Sequence, residues 1–313
     1  MDDLTTPTSF IGCDVGKAEI VVFDSRTGRT ASVPNEPDAL AAFAAGLEAT
    51  GLVVCEATGG YEAALLEALV TAARPVHRAD ARKVKAFIRS LGTLGKSDRI
   101  DARALAQYGR ERQDRLARWR PREQQRDQLR LLVTARRELV RQRVACRNRL
   151  QAPGMAAIEP RLNRLLAALD AEITGLDADI AALIESAQPL ARTVKTLRSI
   201  AGIGPATAAQ LLALMPELGT IGRRQAAALA GLAPHPRQSG NNDAYRRTRG
   251  GRPDVKHTLF MAALAAARYN PTLRAFYMRL RNNGKKPIVA ITAVMRKLIV
   301  IANAKVRDTL ATC

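Results

Sequence analysis

Seven apolar residues in the middle of the chain recur at alternating spacings of four and three residues, the pattern of a coiled-coil seam. They are Leu162, Leu166, Leu169, Ile173, Leu176, Ile180 and Leu183. A seam of about three heptads requires a long helix that packs on another helix, either in the same chain or in a second copy. Since 313 residues are enough for two or three units of ordinary domain size, we expect more than one compact domain, with the seam between the two ends of the chain.

The predicted secondary structure changes character along the chain. Short apolar runs typical of strands alternate with helical patterns before residue 100, which indicates an α/β domain. From Asp101 onward the pattern is helical, with breaks near Pro121 and at Pro153-Gly154. We therefore predict an α/β plus α protein, with a catalytic domain at 1–104, a helical coiled-coil connection at 105–190 and a mainly helical domain at 191–313.

The charge distribution indicates a polyanionic partner. The chain has 49 Lys and Arg residues against 29 Asp and Glu residues, which is a formal net charge of +20. Residues 105–150 contain 14 basic and 5 acidic side chains and residues 191–313 contain 21 and 4, whereas residues 1–104 contain 12 and 14. An excess of this size repels itself in a compact chain, and nucleic acid is the polyanion that fits it best.

Two features argue against a membrane location. The most apolar stretch, residues 288–302, is interrupted by Arg296 and Lys297 and falls short of the ~20 residues that a span requires. Residues 1–10 have neither the basic start nor the apolar core of a signal peptide. We therefore expect a cytoplasmic protein without a membrane partner. Its four cysteines have neither metal-ligand spacing nor a disulfide framework: Cys13, Cys55, Cys146 and Cys313.

Four carboxylates occupy positions from which they can converge. Asp14 and Glu56 each follow a predicted buried strand, and Asp98 and Asp101 share one face at the start of a predicted helix. Each acid alone is usually a turn or capping residue. Together they would repel one another unless Mg²⁺ or Mn²⁺ neutralised them. The order strand, strand, helix is that of ribonuclease H-like nucleases and predicts metal-dependent phosphodiester cleavage.

Residues 196–214 follow the pattern helix, Gly202-Ile203-Gly204, helix. In a helix-hairpin-helix motif, glycines at this place let backbone N–H groups approach a DNA phosphate. An ordinary turn between helices has the same pattern, so it is the basic surroundings that favour DNA contact. We therefore predict that Gly202 and Gly204 lie at the nucleic-acid interface.

A Gly- and Asn-rich loop contains two candidate nucleophiles, Ser239 and Tyr245. Hydroxyl groups in such loops are normally turn residues. Beside arginines that hold a phosphodiester, a hydroxyl can instead form a covalent ester with DNA. The residues alone do not rank Ser239 above Tyr245 for this role. The arginines expected to contact nucleic acid are Arg237, Arg246, Arg247, Arg249 and Arg252.

Five blocks carry a resemblance to a known family. They are Gly12-Cys13-Asp14-Val15-Gly16-Lys17, Cys55-Glu56-Ala57-Thr58-Gly59-Gly60-Tyr61, Lys96-Ser97-Asp98-Arg99-Ile100-Asp101-Ala102-Arg103, Gly202-Ile203-Gly204 and Gln238-Ser239-Gly240. In order and approximate spacing, together they resemble the DEDD transposases of the insertion-sequence-110 family, also called bridge recombinases. The likeness covers nearly the whole chain. The blocks around Glu56 and Asp98 are its most specific parts.

This resemblance implies a RuvC-like ribonuclease H-type domain, a coiled-coil connection and a C-terminal transposase domain. It implies that Asp14, Glu56, Asp98 and Asp101 hold the metal and that Ser239 is the nucleophile. It also implies a structured guide (bridge) RNA that pairs with donor and target DNA. The family acts as an oligomer in which the carboxylates of one subunit meet the serine of another, and strand exchange passes through a junction intermediate.

Two other classes of protein fit parts of the sequence. A Holliday-junction nuclease uses the same carboxylates with metal-activated water and has no need of Ser239. A non-catalytic nucleic-acid-binding protein explains the basic segments but leaves the four acids unexplained. A recombinase that cuts and rejoins DNA through a phosphoserine intermediate accounts for both sets of residues.

Overall fold

The computed structural model describes residues 7–312, except residues 93, 94, 96, 122, 236, 237, 240, 241 and 244–246. The chain divides into two compact units, of which the first ends at Pro121. Both boundaries drawn from the sequence, after residues 104 and 190, fall inside helices, Asp98–Arg112 and Gln188–Arg198. The first of these helices packs on the sheet of the first unit and therefore extends that unit beyond residue 104.

A five-stranded mixed sheet forms the centre of the first unit. Its strands in chain order are β1 (Ser9–Val15), β2 (Glu19–Asp24), β3 (Thr30–Pro34), β4 (Gly51–Glu56) and β5 (Val76–Ala79). The order across the sheet is β3-β2-β1-β4-β5. β1, β2 and β3 are antiparallel neighbours, whereas β4 runs parallel to β1 and β5 runs parallel to β4. The sequence did not predict β5, because His77 and Arg78 interrupt its apolar pattern.

Helices cover both faces of this sheet. α1 (Pro37–Gly46) and α2 (Ala63–Thr71) pack on one face, and α3 (Ala81–Ser90) and α4 (Asp98–Arg112) pack on the other. Alternate residues of β4 therefore enter different cores. Since both faces are buried, β1 and β4 are continuous apolar runs, which is why the sequence predicted them as buried strands.

The second unit begins with a hairpin of two long helices, α5 (Gln124–Leu150) and α6 (Glu159–Ser186). Ion pairs join Arg136 to Asp177 at 2.5 Å and Arg143 to Asp170 at 3.0 Å, so the two helices run antiparallel. The apolar seam lies on α6, where Leu169, Ile173 and Ile180 are buried and the other four members are half-buried. Of the two partners that the heptad pattern allows, the structure shows a helix of the same chain, α5.

The rest of the second unit is almost entirely helical. It consists of α7 (Gln188–Arg198), α8 (Pro205–Leu214), α9 (Arg223–Leu229), the short strands β6 (Gln238–Ser239) and β7 (Asn242–Asp243), α10 (Pro253–Tyr269), α11 (Pro271–Asn282) and α12 (Pro287–Ala311). Its helices share one apolar core, to which the bases of α5 and α6 also contribute.

α12 is long enough and apolar enough to cross a membrane, by length and composition alone. The length argument drawn from residues 288–302 was therefore wrong, because the stretch is part of a 25-residue helix. Of its most apolar window, 44% is buried inside the protein. Val294, Leu298 and Ile299 are fully buried in the core of the second unit, as in the core helix of a folded domain.

Candidate active site and nucleic-acid interface

Asp14 and Glu56 lie side by side at one edge of the sheet. β1 and β4 are parallel, and Cys13 is the register partner of Cys55. The next residue in each strand is the acid, so Asp14 and Glu56 occupy neighbouring positions where the two strands end. The two acids that the sequence placed after separate strands are thus adjacent in the fold.

α4 brings the other two acids to the same edge. A Cβ atom on Gly12 would lie 1.9 Å from the carbonyl oxygen of Ala102, and one on Gly109 would lie 3.3 Å from the ring of Phe10. α4 therefore runs antiparallel to β1. The helix begins at Asp98, so its first turn, which contains Asp98 and Asp101, points toward the edge where β1 and β4 end.

Gly12 permits this arrangement, because only a residue without a side chain allows the helix backbone to approach the strand so closely. The start of α4 is in turn fixed by Ser97, whose hydroxyl oxygen accepts a hydrogen bond from the N–H of Ile100 at 3.3 Å. The positions of Asp98 and Asp101 thus depend on a close helix–strand contact and on a helix cap.

The four acids suit a hard divalent cation in kind, since each offers carboxylate oxygens, the ligands that Mg²⁺ and Mn²⁺ prefer. Among the residues that the structure describes, no group of three or more His, Cys, Asp or Glu side chains is close enough to hold a metal ion. The strand register and the direction of α4 thus orient the four acids toward one edge of the sheet, and their role as metal ligands stays a prediction.

Asn35 links the two strand ends that carry Asp14 and Glu56. Its side-chain amide donates to the carbonyl oxygen of Gly16 at 2.9 Å and to that of Tyr61 at 3.1 Å. Gly16 follows β1 and Tyr61 belongs to the loop after β4, so one side chain holds both loops. Sequence reasoning missed Asn35, because nothing in its local pattern separates it from an ordinary residue before a helix.

Glu62 organises the loop that follows Glu56. One carboxylate oxygen accepts hydrogen bonds from the N–H of Gly60 at 2.9 Å and from the N–H and hydroxyl of Thr58 at 3.1 and 3.2 Å. The other accepts two hydrogen bonds from the guanidinium of Arg78, on β5. Glu62 is only 2% exposed. Although burial alone would raise its pKa, these hydrogen bonds, together with that from its own N–H, lower the pKa to about 2.

The two cysteines beside the acids, Cys13 and Cys55, are buried in an apolar cluster. Burial, followed by the charge of Glu62, raises the pKa of Cys55 to about 12, and burial also raises the pKa of Cys13 well above its ordinary value. Both thiols therefore stay protonated at neutral pH and pack as small apolar groups. Cys146 is also free and buried.

Ser239 lies in a short two-stranded hairpin between α9 and α10. Gln238 pairs with Asp243 and Ser239 pairs with Asn242, and of these four residues only the backbone is described. The base of the hairpin is closed by a bridge between Pro234 and Thr248. Tyr245, the alternative nucleophile, lies outside the described residues. The structure thus locates the backbone of Ser239, and its role stays a prediction.

Three of the five arginines of this loop lie within the described residues. Arg247 and Arg249 are exposed, whereas Arg237 and Arg246 lie outside the described residues. Arg252 is paired within the protein, and its expected contact with phosphate stays a prediction. Its guanidinium donates to the carboxylate of Glu217 at 2.6 and 2.8 Å and to the carbonyl oxygen of Leu214 at 2.8 Å. Arg252 therefore anchors the end of the loop to the helical core.

The Gly202-Ile203-Gly204 turn joins α7 to α8, as the sequence predicted. Gly202 has a φ of +107°, and a Cβ atom there would lie 2.5 Å from the Cβ of Ala266 on α10. Gly204 caps α8 and faces open space. Packing against α10 therefore accounts for Gly202, whereas Gly204 remains open to a phosphate.

Comparisons with known proteins agree with this combination of fold and residues. A family model for the DEDD transposases of IS110, described as a transposase, matches residues 11–153. A second model, described as a transposase of the IS116/IS110/IS902 family, matches residues 194–278. The first match includes the four acids, and the second includes the serine hairpin.

The chain is also similar to named proteins. It is 30% identical over 261 residues to the pilin gene-inverting proteins of Moraxella lacunata and Moraxella bovis, which is 82% of this chain and 80% of each relative. It is 34% identical over 162 residues to an uncharacterized 43.6 kDa protein of insertion element IS110 from Streptomyces coelicolor, which is 50% of this chain and 39% of that protein.

The mixed sheet, the acids at its edge and these matches define the class of protein, a DNA recombinase of the transposase type. Within that class, the chain belongs to the IS110 family of transposases.

Proposed function

We propose that this transposase cuts and rejoins DNA strands through a covalent phosphoserine at Ser239, with Asp14, Glu56, Asp98 and Asp101 as the ligands of Mg²⁺ or Mn²⁺. The observation that supports the proposal is that Asp14 and Glu56 lie at the ends of neighbouring parallel strands, while α4 begins with Asp98 and Asp101 and runs antiparallel to β1. Like charges at one edge are tolerated at low cost only if a cation neutralises them.

The chemistry follows from these residues. The oxygen of Ser239 forms a bond to phosphorus as one P–O bond of the strand breaks, the leaving sugar oxygen takes up a proton, and the serine gives up its own. A bound divalent cation would favour the alkoxide and stabilise the charge that develops on phosphate oxygens. Arg247 and Arg249, exposed beside the hairpin, hold the phosphate. The ester conserves the bond energy of the broken strand, so rejoining needs no external energy source.

Membership of the IS110 family supports four further features of the proposed function: the domain type, the DNA-contacting turn, the guide RNA and the oligomer. The first unit is a RuvC-like ribonuclease H-type domain, in keeping with its strand order. The turn at Gly202 and Gly204 is part of a helix-hairpin-helix motif that contacts DNA, with Gly204 as the residue open to phosphate. A structured bridge RNA selects donor and target DNA. The protein acts as a homo-oligomer, a dimer or a tetramer, in which carboxylates and serine of different subunits meet.

The proposal is tested by trapping the covalent intermediate. The purified protein is incubated with its guide RNA and with labelled donor and target DNA, and the adduct is mapped by protease digestion and mass spectrometry. We expect an adduct on Ser239 that requires Mg²⁺ or Mn²⁺, is lost in Ser239→Ala and in Asp14→Ala, and persists in Tyr245→Phe. Cleavage in EDTA, or an adduct on Tyr245, would contradict this assignment.

The same experiment separates a second candidate function. A Holliday-junction nuclease would cleave with metal-activated water, so it would give metal-dependent cleavage without any adduct. Ser239→Ala would then retain cleavage while Asp14→Ala loses it. The four acids fit both functions, and the response of Ser239→Ala decides between them.

A further inference from the structure

A cleft of about 810 Å³ opens beside the base of the serine hairpin. Pro234 and Thr248, whose bridge closes the hairpin, both line it. The remaining walls come from the first turns of α10 and from the N-terminal half of α12. Its volume lies within the range of roughly 300–1,000 Å³ typical of pockets for small organic molecules.

One part of the cleft is cationic. Arg247, Lys256, His257 and Arg296 line it, and no Asp or Glu is among the described residues of its wall. The ammonium of Lys256 is half-buried and donates to the hydroxyl of Thr248 at 3.1 Å, so it is held at the cleft. Asp254, the nearest acid along α10, is paired instead with Arg137 of α5 at 2.5 Å.

Another part of the cleft is apolar. Leu232 and Met295 are buried in its floor, and Phe260 contributes a half-buried aromatic ring. Ile288, which is 59% exposed, extends the apolar surface of the cleft. An apolar surface next to several cations and without acids matches a flat, uncharged ring attached to a phosphate.

We propose that this cleft binds an unpaired nucleotide of the DNA strand, with the base on Phe260 and Ile288 and the adjacent phosphate at Lys256, Arg247 and Arg296. Base-to-aromatic contact combined with a cationic groove is the general mode by which proteins hold single strands. Duplex DNA does not fit, because its bases are stacked within the helix and cannot reach the floor. The choice of DNA over RNA rests on the proposed function, since the cleft adjoins the hairpin that carries Ser239.

This site has a consequence for strand transfer. A nucleotide held at the base of the hairpin stays close to Ser239 after the strand has been cut. The cleft therefore keeps the end of the broken strand from diffusing away before it is rejoined. Lys256 and Arg296 are positioning residues in this scheme, because they hold the strand and take no part in bond breaking.

The test measures binding of a 5′-fluorescein-labelled single strand of deoxythymidylate to the full-length protein by anisotropy, in EDTA, across a salt titration. We expect Lys256→Gln/Arg296→Gln to weaken binding roughly tenfold and to reduce the slope of log K against log salt by about 1.4, the value for two lost phosphate contacts. The control is Arg223→Gln/Arg224→Gln, which removes two exposed cations of α9 that lie outside the cleft wall. This control should change the slope little.

A second measurement tests the apolar floor. An abasic strand of the same length keeps its phosphates but offers no bases. The wild-type protein should prefer deoxythymidylate roughly tenfold, and Ile288→Ser, a change at an exposed position, should reduce that preference. Thermal melting shows whether each variant is folded, and the salt slope of a folded variant decides the result.

The proposal is overturned if the cleft variants and the α9 control lose binding equally, if the abasic strand binds as well as deoxythymidylate, or if uridylate RNA binds more tightly than DNA. Cleavage plays no part in these measurements. Loss of the Ser239 adduct with intact cleft binding would therefore reject the proposed chemistry alone, and the reverse result would reject the cleft alone.

Discussion

Glu62 is the centre of a small network that holds the loop after β4. Its carboxylate accepts hydrogen bonds from Gly60 and Thr58 of the same loop and from Arg78 of β5, so the loop and the strand meet at one buried charge. A carboxylate that accepts several hydrogen bonds of this kind is stabilised in its ionised form, which is why its pKa is about 2. Since the loop begins at Glu56, we infer that Glu62 and Arg78 are positioning residues for that candidate ligand.

We expect Glu62→Gln to destabilise the first unit by about 1–3 kcal/mol, because it removes a buried charge and leaves Arg78 and the loop N–H groups poorly paired. The matched control is Glu67→Gln, an exposed residue of the same helix. Because the folded-state pKa lies below the ordinary value of 4.5, the stabilisation is present above pH 4.5 and is lost as the pH falls through about 2.

Denaturant titrations at pH 7 and pH 3 measure this difference. If Glu62→Gln matches Glu67→Gln in stability at both pH values, the network contributes nothing. A loss of stability alone would not show that Glu62 positions Glu56, so cleavage is measured as well. Metal-dependent strand cleavage should fall in Glu62→Gln even at temperatures where the variant is fully folded, whereas a purely structural role would leave cleavage intact there.

At the level of elements, the contact between α5 and α6 decides how the apolar seam is used. The heptad pattern left open whether the partner helix belongs to the same chain or to a second copy. In the structure, the ion pairs of Arg136 and Arg143 with α6 place α5 against it, and Ile180 enters the same core as Leu129. The seam therefore contributes to the fold of one chain, and a role in self-association stays a prediction.

We expect Ile173→Ser to lower the free energy of unfolding by about 2–4 kcal/mol, because it removes a buried branched side chain and buries a hydroxyl. Leu165→Ser is the control, since Leu165 is 51% exposed on the same helix. Thermal melting and sedimentation are measured together. Unchanged melting with a smaller oligomer in Ile173→Ser would show that the partner helix belongs to a second subunit.

At the level of the whole molecule, the net positive charge and the four acids fall in different stretches of the sequence. Residues 105–150 and 191–313 carry net charges of +9 and +17, whereas residues 1–104 carry −2. The two units thus divide the work of an enzyme that acts on a polyanion: the first carries the four carboxylates, and the second carries most of the cations and the serine hairpin.

We expect nucleic-acid affinity of the full chain to fall steeply and log-linearly with salt, because binding through phosphate contacts releases counterions. Neutralising Arg247 and Arg249 should reduce the salt slope, whereas Arg26→Gln, in the first unit, should leave it unchanged. Filter binding of labelled DNA between 50 and 300 mM salt, about the range over which such contacts weaken, measures the slope. Equal effects of both changes would contradict the division of charge.

Much of the local structure was determined by the sequence alone. The buried strands, the long helices, the helix–turn–helix at Gly202 and the four acids follow from periodicity, glycine and charge, which act over a few residues. Family membership was evident from the same blocks, since Asp14, Glu56 and Asp98 lie in motifs whose spacing is local. A strand buried on both faces and a heptad seam can each be predicted from one chain segment, because the pattern of apolar residues in that segment produces them.

Only the tertiary structure decided how distant segments meet. It joined Arg252 to Glu217, Glu62 to Arg78 and α4 to Gly12, and it extended the first unit to Pro121. The sequence near these residues does not predict such contacts. An arginine, for example, pairs with a phosphate or with a carboxylate according to which group the fold brings near it. Which charges stay available for nucleic acid is therefore a property of the packed molecule, set by contacts between residues far apart in sequence.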